Sequence, residues 1–116
     1  MSDPVAFRLE IDERIGVILL RLFGELDVAS APPVRERLVE TMRAGNKLLV
    51  VDCEALDFID SSGLALLASA QLRMAEIGGE VRLAAISRRV RRVLELSGLT
   101  DVLSSYPDVE AALAGS

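Results

Sequence analysis

An α/β fold with a single mixed β-sheet covered by helices is predicted by three features of this sequence. After one opening hairpin, short apolar strand patterns alternate with amphipathic helical ones, which implies parallel strands joined by crossover helices. Leu48-Leu49-Val50-Val51 is a continuous apolar run, the pattern of a central strand covered on both faces. Glycines at positions 45, 78, 79 and 98 fall where helical periodicity stops. The expected order is β-β-α-β-α-β-α-β-α. A length of 116 residues with 51% apolar content suits one domain spanning residues 1–116.

Apolar and charged residues alternate in Phe7-Arg8-Leu9-Glu10-Ile11, as in a half-buried strand. Asp12-Glu13-Arg14 supplies a polar turn, and the apolar Ile15–Phe23 returns as the antiparallel partner. Gly24-Glu25-Leu26-Asp27 breaks that strand. Ser30 is then a natural N-cap, with Pro32 and Pro33 tolerated in the first turn, whose amides have no helical partner to lose. Val34, Leu38 and Met42 form the apolar stripe of this first helix, while Arg35, Glu36, Arg37 and Glu40 face away and Gly45 ends it. The central strand follows, with Asp52 at its polar end. A second helix runs from about Leu64 to Ile77 and stops at Gly78-Gly79. Glu80–Ile86 reads as a strand, Arg88–Ser97 as a helix closed by Gly98, Val102-Leu103 as a last short strand, and Pro107–Ala114 as a terminal helix.

Composition excludes several classes of function. Thirteen Lys+Arg against 18 Asp+Glu give a net charge of -5, which repels phosphate backbones and anionic lipid, so no direct nucleic-acid partner is expected. With no histidine, the chain has no His-based triad, no His–Cys zinc site and no histidine phosphorelay. The single Cys53 forms no internal disulfide and suits a reducing cytoplasm; just past a buried strand, it reads as a small packed hydrophobe. No apolar run approaches the ~20 residues of a membrane span, and Met1–Asp3 does not open a signal peptide. No cofactor or metal is implied. Asp52, Asp57 and Asp60 are acidic loop residues of the kind that more often cap or stay solvated than hold a cation.

The chemistry concentrates in Asp60-Ser61-Ser62-Gly63, where a strand's exit loop becomes a helix N-terminus. Asp60 or Ser61 is expected to cap that helix through its side-chain oxygen. That leaves Ser62 in the first turn with its hydroxyl toward solvent. Gly63 beside it offers a backbone that another protein can approach closely. A phosphate here would meet free amides and the positive end of the helix dipole. Ser62 is a poor catalytic nucleophile, because no histidine is present to activate it, the Gly-x-Ser-x-Gly elbow is missing and Asp60 is too acidic a base.

Gly24-Glu25-Leu26-Asp27 together with Phe58-Ile59-Asp60-Ser61-Ser62-Gly63-Leu64 resembles the anti-sigma factor antagonist branch of the STAS domains. Gly79-Glu80-Val81-Arg82-Leu83 and the stretch from Val90 to Leu99 are similar to that branch as well, so the likeness runs from Phe7 to about Val109. The resemblance implies an STAS fold and a non-enzymatic protein switch. Its partners would be an anti-sigma factor serine/threonine kinase, which phosphorylates the second serine of the motif, Ser62, and a PP2C-type serine phosphatase, which restores binding. Carried over residue by residue, the partner-binding set is Asp27, Asp60, Ser61, Ser62, Gly63 and Leu64, on a monomer or weak dimer. Two positions depart from the pattern: Cys53-Glu54 stands where an apolar residue and Ser or Thr are common, and Arg88 where proline is frequent.

Arg88, Arg89, Arg91 and Arg92 form a basic cluster, but Val90, Val93 and Leu94 lie between them as a buried stripe. The cluster therefore reads as a solvated helix face, with Arg91 and Glu95 spaced for an ordinary surface ion pair. Two other roles share the sequence features. One is a scaffold or transport-associated STAS subunit that docks its partner without phosphorylation of Ser62; the other is a hydrolase using Ser62, which the missing base disfavours.

Overall fold

The computed structural model describes residues 7–115, so Met1–Asp3 lie outside the described residues. The elements are β1 (Arg8–Arg14), β2 (Val17–Leu26), α1 (Ala31–Arg43), β3 (Leu48–Asp52), β4 (Leu56–Ile59), α2 (Ser61–Glu76), β5 (Glu80–Ala84), α3 (Arg88–Leu96), β6 (Ser104–Tyr106) and α4 (Val109–Ala114). They form one six-stranded sheet in the order β1-β2-β3-β5-β6, with β4 paired to β2 off that path. The opening hairpin is antiparallel and every other pairing is parallel. This is the expected architecture with one strand added.

Residue alternation along the central strands assigns the helices to two faces. Ile18, Leu20 and Leu22 of β2, Leu49 and Val51 of β3, and Val81 and Leu83 of β5 pack in the main core with α1, α2 and α3. The intervening Leu19, Val50 and Ala84 point the other way, against Ala112 of α4. Leu19 and Val50 are wholly buried, and sealing a side chain of that size from water contributes ~1.5–3 kcal/mol. Arg82 fastens α4 to this face: its Nη1 donates to the Ala112 carbonyl at 2.7 Å while its Nε meets Glu80 at 2.8 Å.

The structure shifts four expected boundaries. Asp12-Glu13-Arg14 continues β1 instead of turning, and the reversal falls at Ile15-Gly16, where Gly16 takes φ +74°. Gly24-Glu25-Leu26 does not end β2. The ladder slips between Gly24 and Glu25, and β2 leaves β3 to pair with β4 instead. Val102 and Leu103 are not the last strand. Their amides bond back to the Leu99 carbonyl, Leu103 plugs the core, and the more polar Ser104–Tyr106 pairs with β5. The terminal helix starts at Val109, capped by the Asp108 carboxylate, which leaves Pro107 ahead of the helix and not in its first turn.

Cys53 is the packed hydrophobe expected of it, with 1% of its surface exposed. Burial, reinforced by the neighbouring Asp52 charge, pushes its thiol up to about 12. The reactive species is the thiolate. Iodoacetamide at mildly alkaline pH is therefore expected to leave Cys53 unmodified in the folded chain and to alkylate it in denaturant. Mass spectrometry checks this, and rapid labelling of the native protein would contradict the packing.

Candidate functional site

The slip in β2 builds the site. Gly24, at φ +92°, donates its amide to the Ala55 carbonyl at 3.0 Å and turns the end of β2 toward β4. Leu26 then pairs with Ile59, and the Asp60 amide donates to the Leu26 carbonyl at 3.1 Å. Asp27 and Asp60, the next residue after each strand, thus leave adjacent strands side by side. The two loops that the sequence marks as functional are neighbours because of this pairing.

Asp60 is the cap of α2. Its backbone is extended (φ -99°, ψ -177°) and its Oδ1 accepts the Gly63 amide at 2.9 Å, while its carbonyl accepts the Leu64 amide at 3.0 Å. Ser61 and Ser62 occupy the first two helical positions, so their amides have no helical acceptor. Both side chains are exposed, and neither hydroxyl is hydrogen-bonded to another of the described residues. The helix therefore begins three residues before the expected Leu64.

Gly63 and Leu64, two of the residues expected at the contact surface, are buried. Gly63 is buried, and a Cβ there would lie 2.6 Å from the Leu26 carbonyl oxygen, 2.8 Å from Leu26 Cγ and 2.9 Å from Ile59 Cγ1. The close backbone approach that this glycine permits is thus made within the chain, to the paired ends of β2 and β4. Leu64 is 1% exposed and anchors the same turn in the core. Both residues position the exposed serines from beneath.

The Asp27 loop is held just as tightly. Asp27 Oδ1 accepts the amides of Ala29 and Ser30, both at 3.0 Å. Ser30 occupies the N-cap position of α1 but does not cap it. The amides a cap would accept belong to the second and third helical residues, here Pro32 and Pro33, which have none. The Ser30 hydroxyl turns back instead, donating to the Glu25 carbonyl at 2.7 Å and accepting the Asp27 amide at 2.9 Å. Val28, at the tip of this loop, is 71% exposed, an apolar side chain beside the acidic one that sequence patterning did not single out.

A groove of about 360 Å³ runs between α1 and α2 and has Ser62 on its rim. Arg35, expected to face away, lines it, as does Met42, which is half-buried and not a full core filler. Met74, by contrast, is fully in the core. Asp52 pairs with Arg21 at 3.5 Å and Asp60 caps α2, and among the described residues no acidic cluster is arranged to hold a metal. The four α3 arginines are exposed as expected around buried Val90 and Leu94, while Val93 is only half-buried. Arg91 and Glu95 form none of the ion pairs found among the described residues.

A mixed sheet with helices on both faces, carrying a capped double serine where β4 enters α2, defines an STAS-type α/β domain. The family model for the STAS domain matches residues 8–112, and the chain belongs to that family. It is 31% identical to an anti-sigma F factor antagonist of Paenibacillus polymyxa, over 91% of this chain and 92% of that one. In structure it resembles an anti-sigma factor antagonist from Mycobacterium paratuberculosis, with a TM-score of 0.87, 26% identity, and coverage of 99% of this chain and 97% of the other. It also resembles the antagonist SpoIIAA in its unphosphorylated form, at a TM-score of 0.76, 29% identity, and coverage of 96% and 98%. The phosphorylated form of the Bacillus SpoIIAA matches at 0.71 and 28%, over 96% and 100%. Among the described residues no helix is long and apolar enough to cross a membrane.

Two outcomes test this geometry. Gly63→Ala is expected to cost ~1–3 kcal/mol by overpacking, because the new methyl meets backbone oxygen as well as side chains; chemical denaturation measures it. The second concerns acid. Hydrogen bonds from the Ser30 amide foremost, and from the Ala29 amide, hold the Asp27 carboxyl below its ordinary 3.8. The resulting stabilisation is complete above that ordinary value and is lost as pH falls through the lower, folded one. Asp27→Asn is thus expected to be less stable than the parent at neutral pH, with the difference narrowing on acidification. Melts across acidic pH would show the reverse trend if the carboxylate were not held this way.

Proposed function

We propose that this chain is a non-enzymatic switch, an anti-sigma factor antagonist acting in the cytoplasm. On this reading it captures an anti-sigma factor serine/threonine kinase while Ser62 is unmodified and releases it once Ser62 is phosphorylated. A PP2C-type serine phosphatase resets it. The observation that carries the reading is the Ser62 hydroxyl, exposed and hydrogen-bonded to no other described residue, on the first turn of a helix whose N-terminus is fixed by the Asp60 cap. Support comes from similar proteins that are themselves antagonists, and from SpoIIAA, whose unphosphorylated and phosphorylated forms both resemble this chain. Ser61, Asp60, Asp27 and the exposed Val28 would complete the contact surface.

The physical basis is local charge. A phosphoserine carries about -1.5 to -2 at neutral pH. Held ~4 Å from a partner carboxylate, each unit of charge costs about 4 kcal/mol at an effective dielectric of 20, before screening. Since ~1.4 kcal/mol is a tenfold change in affinity, a fraction of that repulsion releases the partner.

Incubation with a cognate kinase and ATP, followed by peptide mapping, is expected to place phosphate on Ser62 and not on Ser61. In calorimetry with the kinase and ADP, Ser62→Ala is expected to bind like the unmodified chain. Ser62→Asp, and more strongly the phosphorylated chain, should bind at least ~10-fold more weakly. Phosphate on Ser61 alone would overturn the assignment. Equal affinity of the modified and unmodified chains would make the domain a docking module and not a switch.

A further inference from the structure

Ser62 and Arg35 line the same groove from opposite helices. Each helix returns from the C-terminal end of one parallel strand to the start of another, α1 from β2 to β3 and α2 from β4 to β5, so the two helices run in the same direction. Ser62, at the second position of α2, and Arg35, at the fifth of α1, therefore share the end of the groove nearest the helix N-termini. The other groove cation, Arg73, lies in the last turn of α2 at the far end. Leu38, Leu66 and Ala70 form an apolar floor between them.

Arg35 is exposed and takes part in none of the ion pairs found among the described residues, while Arg37 on the same helix pairs with Glu40. The two carboxylates nearest Ser62 along the chain and across the strand ends are engaged by amides, Asp60 by Gly63 and Asp27 by Ala29 and Ser30. Among the described residues the guanidinium is thus uncommitted. Its planar fork matches two phosphate oxygens, and the apolar floor lowers the local dielectric in which such a pair forms.

We propose that Arg35 is the intramolecular receptor for a phosphate on Ser62, closing over this end of the α1–α2 groove when that serine is modified. The proposal rests on Ser62 being the modified residue. It adds a second effect to the new negative charge: the phosphate is pinned to its own chain, and the Arg35 charge at that end of the groove is neutralised.

Phosphoserine inserted at position 62 during translation, in the full chain, tests this without any kinase. By phosphorus NMR, the second ionisation of the phosphate is expected about half a pH unit or more below its ordinary ~6. It should return to ~6 in Arg35→Ala, shift part of the way in Arg35→Lys and stay low in Arg73→Ala. The Arg35 Nε–H resonance of the parent should move along the same titration. An identical midpoint in the parent and Arg35→Ala, an equal loss in Arg73→Ala, or an Arg35 resonance that ignores the phosphate would each overturn the proposal. Failure of a kinase to modify Ser62 would show separately, as absent phosphate transfer to the unmodified chain, and would leave this titration to be read on its own.

Discussion

The contact between Gly63 and the paired ends of β2 and β4 is the constraint on which the site depends. No side chain fits there: a Cβ would fall within 3 Å of Leu26 and Ile59 atoms, one of them a backbone oxygen. Because the helix can settle this close, the Asp60 carboxylate reaches the Gly63 amide and the helix begins at Ser61. Leu64, one residue on, is then driven into the core. The two residues ahead of Gly63 have nowhere to go but outward. Exposure of Ser62 is thus enforced from beneath, by packing.

That packing depends in turn on β2 serving two partners. Along Val17–Arg21 it pairs with β3, and from Gly24 onward with β4. A strand that stayed with β3 throughout would leave the Asp27 loop far from Asp60. The positive φ of Gly24 is what allows the slip, since an L side chain is strained in that region. The acidic loop and the serine turn meet because of one backbone irregularity, and each is then locked by its own hydrogen bonds.

What local rules govern is legible in the sequence. The Asp60 cap, the central strand, the buried Cys53 and the exposed arginines of α3 all follow from pattern and propensity. What only tertiary pairing decides is not legible there. Leu56–Ile59 is four residues with one charged side chain, too short to announce a strand, and it exists because β2 turns to meet it. Val102 and Leu103 read as a strand because they are apolar, yet in this fold they plug the core from a turn while polar Ser104–Tyr106 makes the ladder. Ser30 obeys the rule for cap composition, but two prolines remove the donors it would accept. Arg35 has the composition of a solvated face; only the neighbouring helix reveals it as a groove residue.

A frame this constrained limits how a modification at Ser62 could act. A phosphate there would meet the free amides of the first turn and the helix dipole, worth ~0.3–1 kcal/mol to an anion. The Asp60 carboxylate would oppose it across solvent by a comparable amount. The two effects nearly cancel, and neither approaches the 3 kcal/mol or so that disrupting a packed core costs. Beneath the serine, Gly63 and Leu64 are fixed by contacts that a surface charge does not touch. The added charge therefore has no inexpensive route into the fold. What it can change is the surface: the sign of the potential around Ser62, the orientation of the exposed Arg35, and the fit of whatever is placed against them.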